Sequence, residues 1–160
     1  MKAIDLFLVT IMTVTISCQS IDESKEVEAI KNVIIAEGEA RQNHDIEMLY
    51  ECWAHEPYVT NYAAINWGCH TPKGWDELSE AFKKDHQGEP NPDINIRREN
   101  INTHINGNMA IADFDLFIDN VQGANLESKA NATLEKINGS WKIVYLNVIF
   151  DKSFEKNKTE

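Results

Sequence analysis

Apolar positions in the first half of the chain recur at helical spacing. Val27, Ile30 and Ile34, followed by Glu37 to Arg41, fall on one stripe, with Val33 and Ile35 widening it. A polar start at Ser20-Ile21-Asp22-Glu23, or at Ser24, can cap this first helix. Asn43-His44-Asp45 ends it and caps a second helix, in which Ile46, Leu49, Tyr50 and Trp53 stand at i, i+3, i+4 and i+7, with Pro57 as the stop. Tyr58 to Asn61 reads as a short extended piece. Thr71-Pro72 places a cap and a first-turn proline before a third helix whose apolar face is Trp75, Leu78 and Phe82, and Gly88 to Pro92 stops it.

From there the period falls to two. Ile94 and Ile96 hold one parity, while Ile101, Thr103 and Ile105 hold the other, which predicts a long bent strand with a bulge near Arg97 to Asn100. Asn106-Gly107-Asn108 turns the chain into a strand over 109–118, a loop around Gln122 to Asn125 leads to another over 127–137, and Asn138-Gly139 turns into the last, 140–150. Three helices followed by antiparallel strands make an α+β fold: a curved antiparallel sheet wrapped on one side by helices, with a conical pocket between. In the last strand Tyr145 and Asn147 share a parity, and the expectation is that this parity lines the cavity.

The ends lie outside this pattern. Lys2, an apolar run from Leu6 to Ile16 that is too short to span a bilayer, and Ile16-Ser17-Cys18 resemble a bacterial lipoprotein signal, although Asp5 and Thr15 depart from it. The resemblance implies cleavage before Cys18, lipid on Cys18, and export to the periplasm or the cell exterior. The expected organisation is a signal over 1–17, a polar tether over 18–25, one domain over 26–152 and a polar tail over 153–160. An ordinary secretory signal cut nearby is the alternative.

The formal charge of −11 argues against nucleic acid or anionic lipid as a partner, because both need clustered Lys and Arg. Contact with a membrane is expected through the lipid anchor only. Cys52 and Cys69 read as two free thiols or as one disulfide closing a short loop. No His or Cys spacing predicts a metal site, and no phosphate loop or nucleophile elbow predicts a cofactor.

Trp53-Ala54-His55-Glu56-Pro57-Tyr58-Val59, Gly74-Trp75-Asp76-Glu77-Leu78, Met109 to Asp115 and Leu134 to Ile143 together resemble the nuclear transport factor 2-like superfamily, in its SnoaL-like, bacterial secreted branch. The resemblance implies a cone-shaped α+β barrel of the cystatin-like kind, a ligand pocket between sheet and helices, and frequent homodimers through the sheet. Apolar positions on both parities of 143–150 support the dimer expectation.

Candidate chemistry is sparse. Asp113 and Asp115 share a strand face and could act as an acid/base pair, Asp115 being preferred; His55, beside Glu56-Pro57, could act as a general base. Trp67 stands in a Gly-containing loop, where packing explains a large ring poorly. The expected ligand site is therefore His55, Trp67, Asp115, Tyr145 and Asn147, a few polar groups among aromatic walls that suit a small, largely apolar molecule. The leading expectation is a binding module. An isomerase, dehydratase or cyclase using His55 or Asp115, and a structural dimer or protein-interaction module, are the alternatives.

Overall fold

The computed structural model describes residues 22–65, 68–121 and 124–149. Three helices precede most of one six-stranded sheet: α1 (Glu23–Asn43), α2 (Ile46–Cys52), β1 (Thr60–Ile65), β2 (Gly68–His70), α3 (Gly74–Asp85), β3 (Asn95–Asn106), β4 (Met109–Val121), β5 (Ala124–Ile137) and β6 (Ser140–Ile149). The strand order is β2-β1-β6-β5-β4-β3. The fold is α+β, as its periodicities predict. The sheet is mixed rather than wholly antiparallel, because β1 returns alongside β6 in parallel.

α1 ends where His44 adopts a left-handed conformation, and the Asp45 side chain accepts the Met48 backbone N–H at 2.9 Å to start α2. α2 is shorter than its apolar stripe predicts. Trp53 leaves the helix with extended backbone and bridges Ile143 of β6, while the Ala54 N–H donates to the Ile143 carbonyl at 2.9 Å. Trp53 is buried as expected, but it reaches the core from the sheet side of the helix end.

The start of α3 also differs from the proline signal. Lys73 bridges Thr60, and the Thr60 hydroxyl donates to the Pro72 carbonyl at 2.7 Å, so Pro72 belongs to extended backbone and the helix begins at Gly74. Gly74 has φ +75°, and a Cβ there would stand 3.1 Å from the Pro57 carbonyl oxygen, so a side chain is excluded by both conformation and space.

The bulge in β3 falls where the parity change predicts: register slips between Glu99 and Asn102, with Asn100 at φ 53°. A second bulge lies between β5 and β6, where Leu134 faces Ile143 but Thr133 faces Tyr145. This slip explains why 143–150 is apolar on both parities. Trp141 and Ile143 before it, and Leu146 and Val148 after it, are all buried on one face, so the pattern marks one apolar face shifted by a residue. Ala110, Ala112, Phe114 and Leu116 of β4, with Ala130, Ala132 and Leu134 of β5, complete that face. Ile30 and Ile34 of α1, Leu49 of α2, and Leu78 and Phe82 of α3 close over it.

Candidate functional site

The register sorts the predicted site residues onto opposite sides of the sheet. Asp115 alternates with buried Phe114 and Leu116, and Asn147 with buried Leu146 and Val148, so both point away from the helices. Tyr145, opposite Thr133, lies on the same outer face. His55 is on the helix side. One pocket made of His55, Asp115, Tyr145 and Asn147 is therefore not formed, and the expectation that the Tyr145 parity faces the helices is corrected by the bulge and the alternation around it. Trp67 and Cys18 lie outside the described residues.

His55 serves packing. Its ring stacks on Trp75 with centroids 3.8 Å apart and planes 17° from parallel, and its Nε2 donates to the Tyr50 carbonyl at 3.1 Å. Tyr50 packs edge-on against Trp75 and donates its hydroxyl to the Ser79 carbonyl at 3.2 Å, so the group pins α2 to α3. Cys52 is a free buried thiol, pushed up to about 11 by burial first and the Glu37 charge second, which makes a thiolate nucleophile unfavourable. Among the described residues no group of three or more His, Cys, Asp and Glu side chains gathers as a metal site.

The inner face of the sheet carries a polar cluster that the sequence reading passed over. Glu37 is fully buried, accepts Arg41 Nε at 2.7 Å and Trp53 Nε1 at 3.3 Å on one oxygen, and binds Arg98 through the other. Burial alone would raise its pKa, but the charges of Arg41 and Arg98 and their hydrogen bonds together outweigh it and hold the carboxyl at about 2. Arg98 Nη1 also donates to the Ile34 carbonyl at 2.7 Å, and its guanidinium lies over the Phe114 ring. The cluster ties α1 to β3 and to the end of α2. A carboxylate already bonded to three donors is a poor proton acceptor. The signal for it was present: Glu37 continues the i, i+4, i+7 stripe of Ile30 and Ile34, and Arg98 shares the parity of Ile96.

On the outer face, Asp115 and Asn147 do meet. They line a depression of ≈ 540 Å³ with Asn100, Asn102, Asp113, Lys129, Asn131 and Ile149. Asp115 is paired with Lys129 and accepts Asn100 Nδ2 at 2.8 Å, and these two partners, Lys129 first, lower its pKa. Asp113 is exposed at the rim. Asn147 Oδ1 is buried without a hydrogen-bond partner. Seven of the ten lining residues carry an amide, carboxylate or ammonium group, and Phe114, Ala130 and Ile149 add apolar surface between them.

Two further depressions flank α1. One, ≈ 490 Å³, runs between α1 and β3 past Gly38, Gln42, Arg97 and Arg98. The other, ≈ 650 Å³, lies at the start of α1, where Glu26 accepts Lys136 Nζ and Trp141 Nε1, each at 2.7 Å.

The sequence matches no protein-family model and no curated protein. Its fold does match solved structures. An NTF2-like protein of unknown function from Pseudomonas putida KT2440 superposes with a TM-score of 0.67 at 15% identity, over 86% of this chain and 96% of that one. An NTF2-like superfamily protein from Salmonella enterica serovar Typhimurium LT2 gives 0.66 at 16% identity, over 86% and 99%. An NTF2-like family protein from Streptomyces avermitilis, for which a dehydratase activity has been suggested, gives 0.65 at 14% identity, over 81% and 98%. The chain has the NTF2-like fold.

Proposed function

We propose that the protein is an exported, lipid-anchored binding module that takes a small hydroxyl-rich molecule of the saccharide or polyol class on the outer face of its sheet. The observation that carries this reading is the 540 Å³ depression, where four Asn side chains, two Asp and one Lys converge and Asn147 Oδ1 is buried with no partner. Each hydroxyl of such a ligand both donates and accepts, and a side-chain amide offers both functions from one planar group. A buried acceptor left unpaired is costly, and a ligand hydroxyl that reaches it removes the cost. Binding is favoured over acid/base catalysis because both oxygens of Asp115 and of Glu37 are engaged, while His55 spends its Nε2 proton on a backbone carbonyl and its ring on Trp75.

The apolar ligand of the sequence reading is replaced in this proposal, since the inner face is covered by closely packed side chains and the outer depression gathers amide and charged groups beside its apolar ones. Export and the Cys18 anchor rest on the amino-terminal sequence; a Cys18→Ala form that stays with membranes after alkaline washing would contradict them.

A thermal-shift screen tests the ligand class. Mono- and disaccharides should raise the melting temperature by about RT ln(1 + [L]/Kd), converted through the unfolding entropy, and Asn147→Leu should abolish the rise while leaving the unliganded melting temperature nearly unchanged. Stabilisation by apolar compounds alone would contradict it.

A second reading, a homodimer through this same face, is favoured by one observation: Met109, Ile111 and Ile149 are exposed there. The two readings compete for one surface. Sedimentation of a monomer at micromolar concentration would leave the face free for ligand, whereas a dimer dissociated by Ile111→Lys would assign it to self-association.

A further inference from the structure

Beyond the outer face, we propose a second binding site, in the groove between α1 and β3, for the carboxylate group of a small molecule, with Arg98 as its principal donor. Arg98, Arg41 and Glu37 form a buried group with two cations to one anion. Glu37 uses both of its oxygens on the two arginines, so one positive charge has no counter-charge within the cluster. Two guanidinium atoms of this group, Arg98 Nε and Arg41 Nη2, are buried without a hydrogen-bond partner. Arg98 carries the stronger case because its side chain is 3% exposed, so bulk water does not provide for it.

The groove supplies the space. It is ≈ 490 Å³, and Gly38 and Arg98 both line it. Gly38 sits mid-helix, where glycine costs helix stability, so its presence asks for a packing reason. The reason is Arg98: a Cβ on Gly38 would meet Arg98 Nε at 3.1 Å, closer than to any other atom of that side chain. The missing side chain thus lets α1 lie against Arg98 Nε without clash, beside an N–H that no other group uses. Gln42, one turn further along α1, is held at the groove by accepting the Ile96 N–H at 2.8 Å. At the rim Arg97 is shared between Glu99 at 2.5 Å and Asp119 at 3.4 Å, so it adds no net charge to the groove. Glu39 is the exposed rim carboxylate, and it disfavours multiply charged anions such as phosphate over a single carboxylate. Because Arg98 Nε is closed to solvent in the unliganded groove, binding is coupled to a small parting of α1 from β3 at Gly38.

The test uses the whole chain, labelled with ¹⁵N on arginine, and follows the Arg98 Nε–H resonance during titration with sodium acetate and sodium benzoate at constant ionic strength, with benzamide and sodium chloride as controls. The site predicts a saturable downfield shift of that proton with the carboxylates and none with the controls. Gly38→Ala, whose methyl crowds Arg98 Nε while improving helix propensity, should keep the fold and weaken carboxylate binding at least tenfold. A resonance that does not move with any carboxylate at 50-fold molar excess or more, or equal saturable binding to Gly38→Ala, would overturn the proposal and leave the cluster with a purely structural role.

Discussion

The two faces of the sheet each hold a carboxylate bonded to a cation, and the two pairs do different work. On the inner face the Glu37 and Arg98 side chains are 0% and 3% exposed; on the outer face Asp115 and Lys129 are 14% and 81% exposed. The inner pair has lost its water and is held by further donors from Arg41 and Trp53. Its members depend on one another, since removing either strands the other in a low-dielectric interior. The outer pair keeps solvent beside it, so it contributes little to stability and remains available to a ligand. The fold thus spends its buried charges on fixing α1 against β3 and leaves the outer pair beside solvent.

The largest expected effect comes from breaking the inner pair. Glu37→Gln leaves Arg98 and Arg41 facing each other without a counter-charge and should destabilise the protein by about 3–5 kcal/mol, read as a lower urea midpoint with an unchanged slope. A loss below about 1 kcal/mol would mean that the cluster is not the clamp described. Acid sharpens the same contrast. The folded Glu37 carboxyl is held at about 2, below its ordinary 4.5, so its contribution to stability is present in full above about pH 4.5 and is lost as pH falls from there towards 2. Wild-type stability should therefore fall steeply across that window, and Glu37→Gln should flatten the fall. On the outer face Asp115→Asn should change stability by less than about 1 kcal/mol, because Lys129 is solvated with or without it. Ligand affinity should fall more than stability does, which titration of the variant beside its unfolding curve would show.

The sequence made the order of the helices and of β3 to β6 legible because each of them carries a strong local signal, whereas the three-residue β2 carries none. Helical stripes marked α1 to α3, Asn138-Gly139 marked the last hairpin, and the parity change in β3 marked its bulge. The second bulge was not legible. It lies within Ile143-Val144-Tyr145-Leu146, where four apolar or aromatic residues in a row hide the slip and the polar residues that flank it, Lys142 and Asn147, mark it only by their opposite parities, and so Tyr145 and Asn147 were assigned to the wrong face. The end of α2 failed for a related reason: Trp53 fits a helical stripe, yet a bridge to Ile143, 90 residues away, draws it into extended backbone. The pairing of Glu37 with Arg98 was not legible because 61 residues of chain separate them, a distance that hides the partner even though each stands on its element's apolar face. Asp115 and Asn147 line one depression, but on the outer side of the sheet, since residue type showed hydrogen-bonding capacity while only the register showed which side received it.

The division of labour between the faces is tested most directly by mapping backbone amide shifts by NMR while a stabilising saccharide is added. The account predicts perturbations gathered on Asn100, Asn102, Asp113, Asp115, Lys129, Asn131 and Asn147, with His55, Trp75 and Phe82 unmoved. Perturbations centred instead on His55, Trp75 and Phe82 would contradict it, because the ligand would then be on the helix side of the sheet.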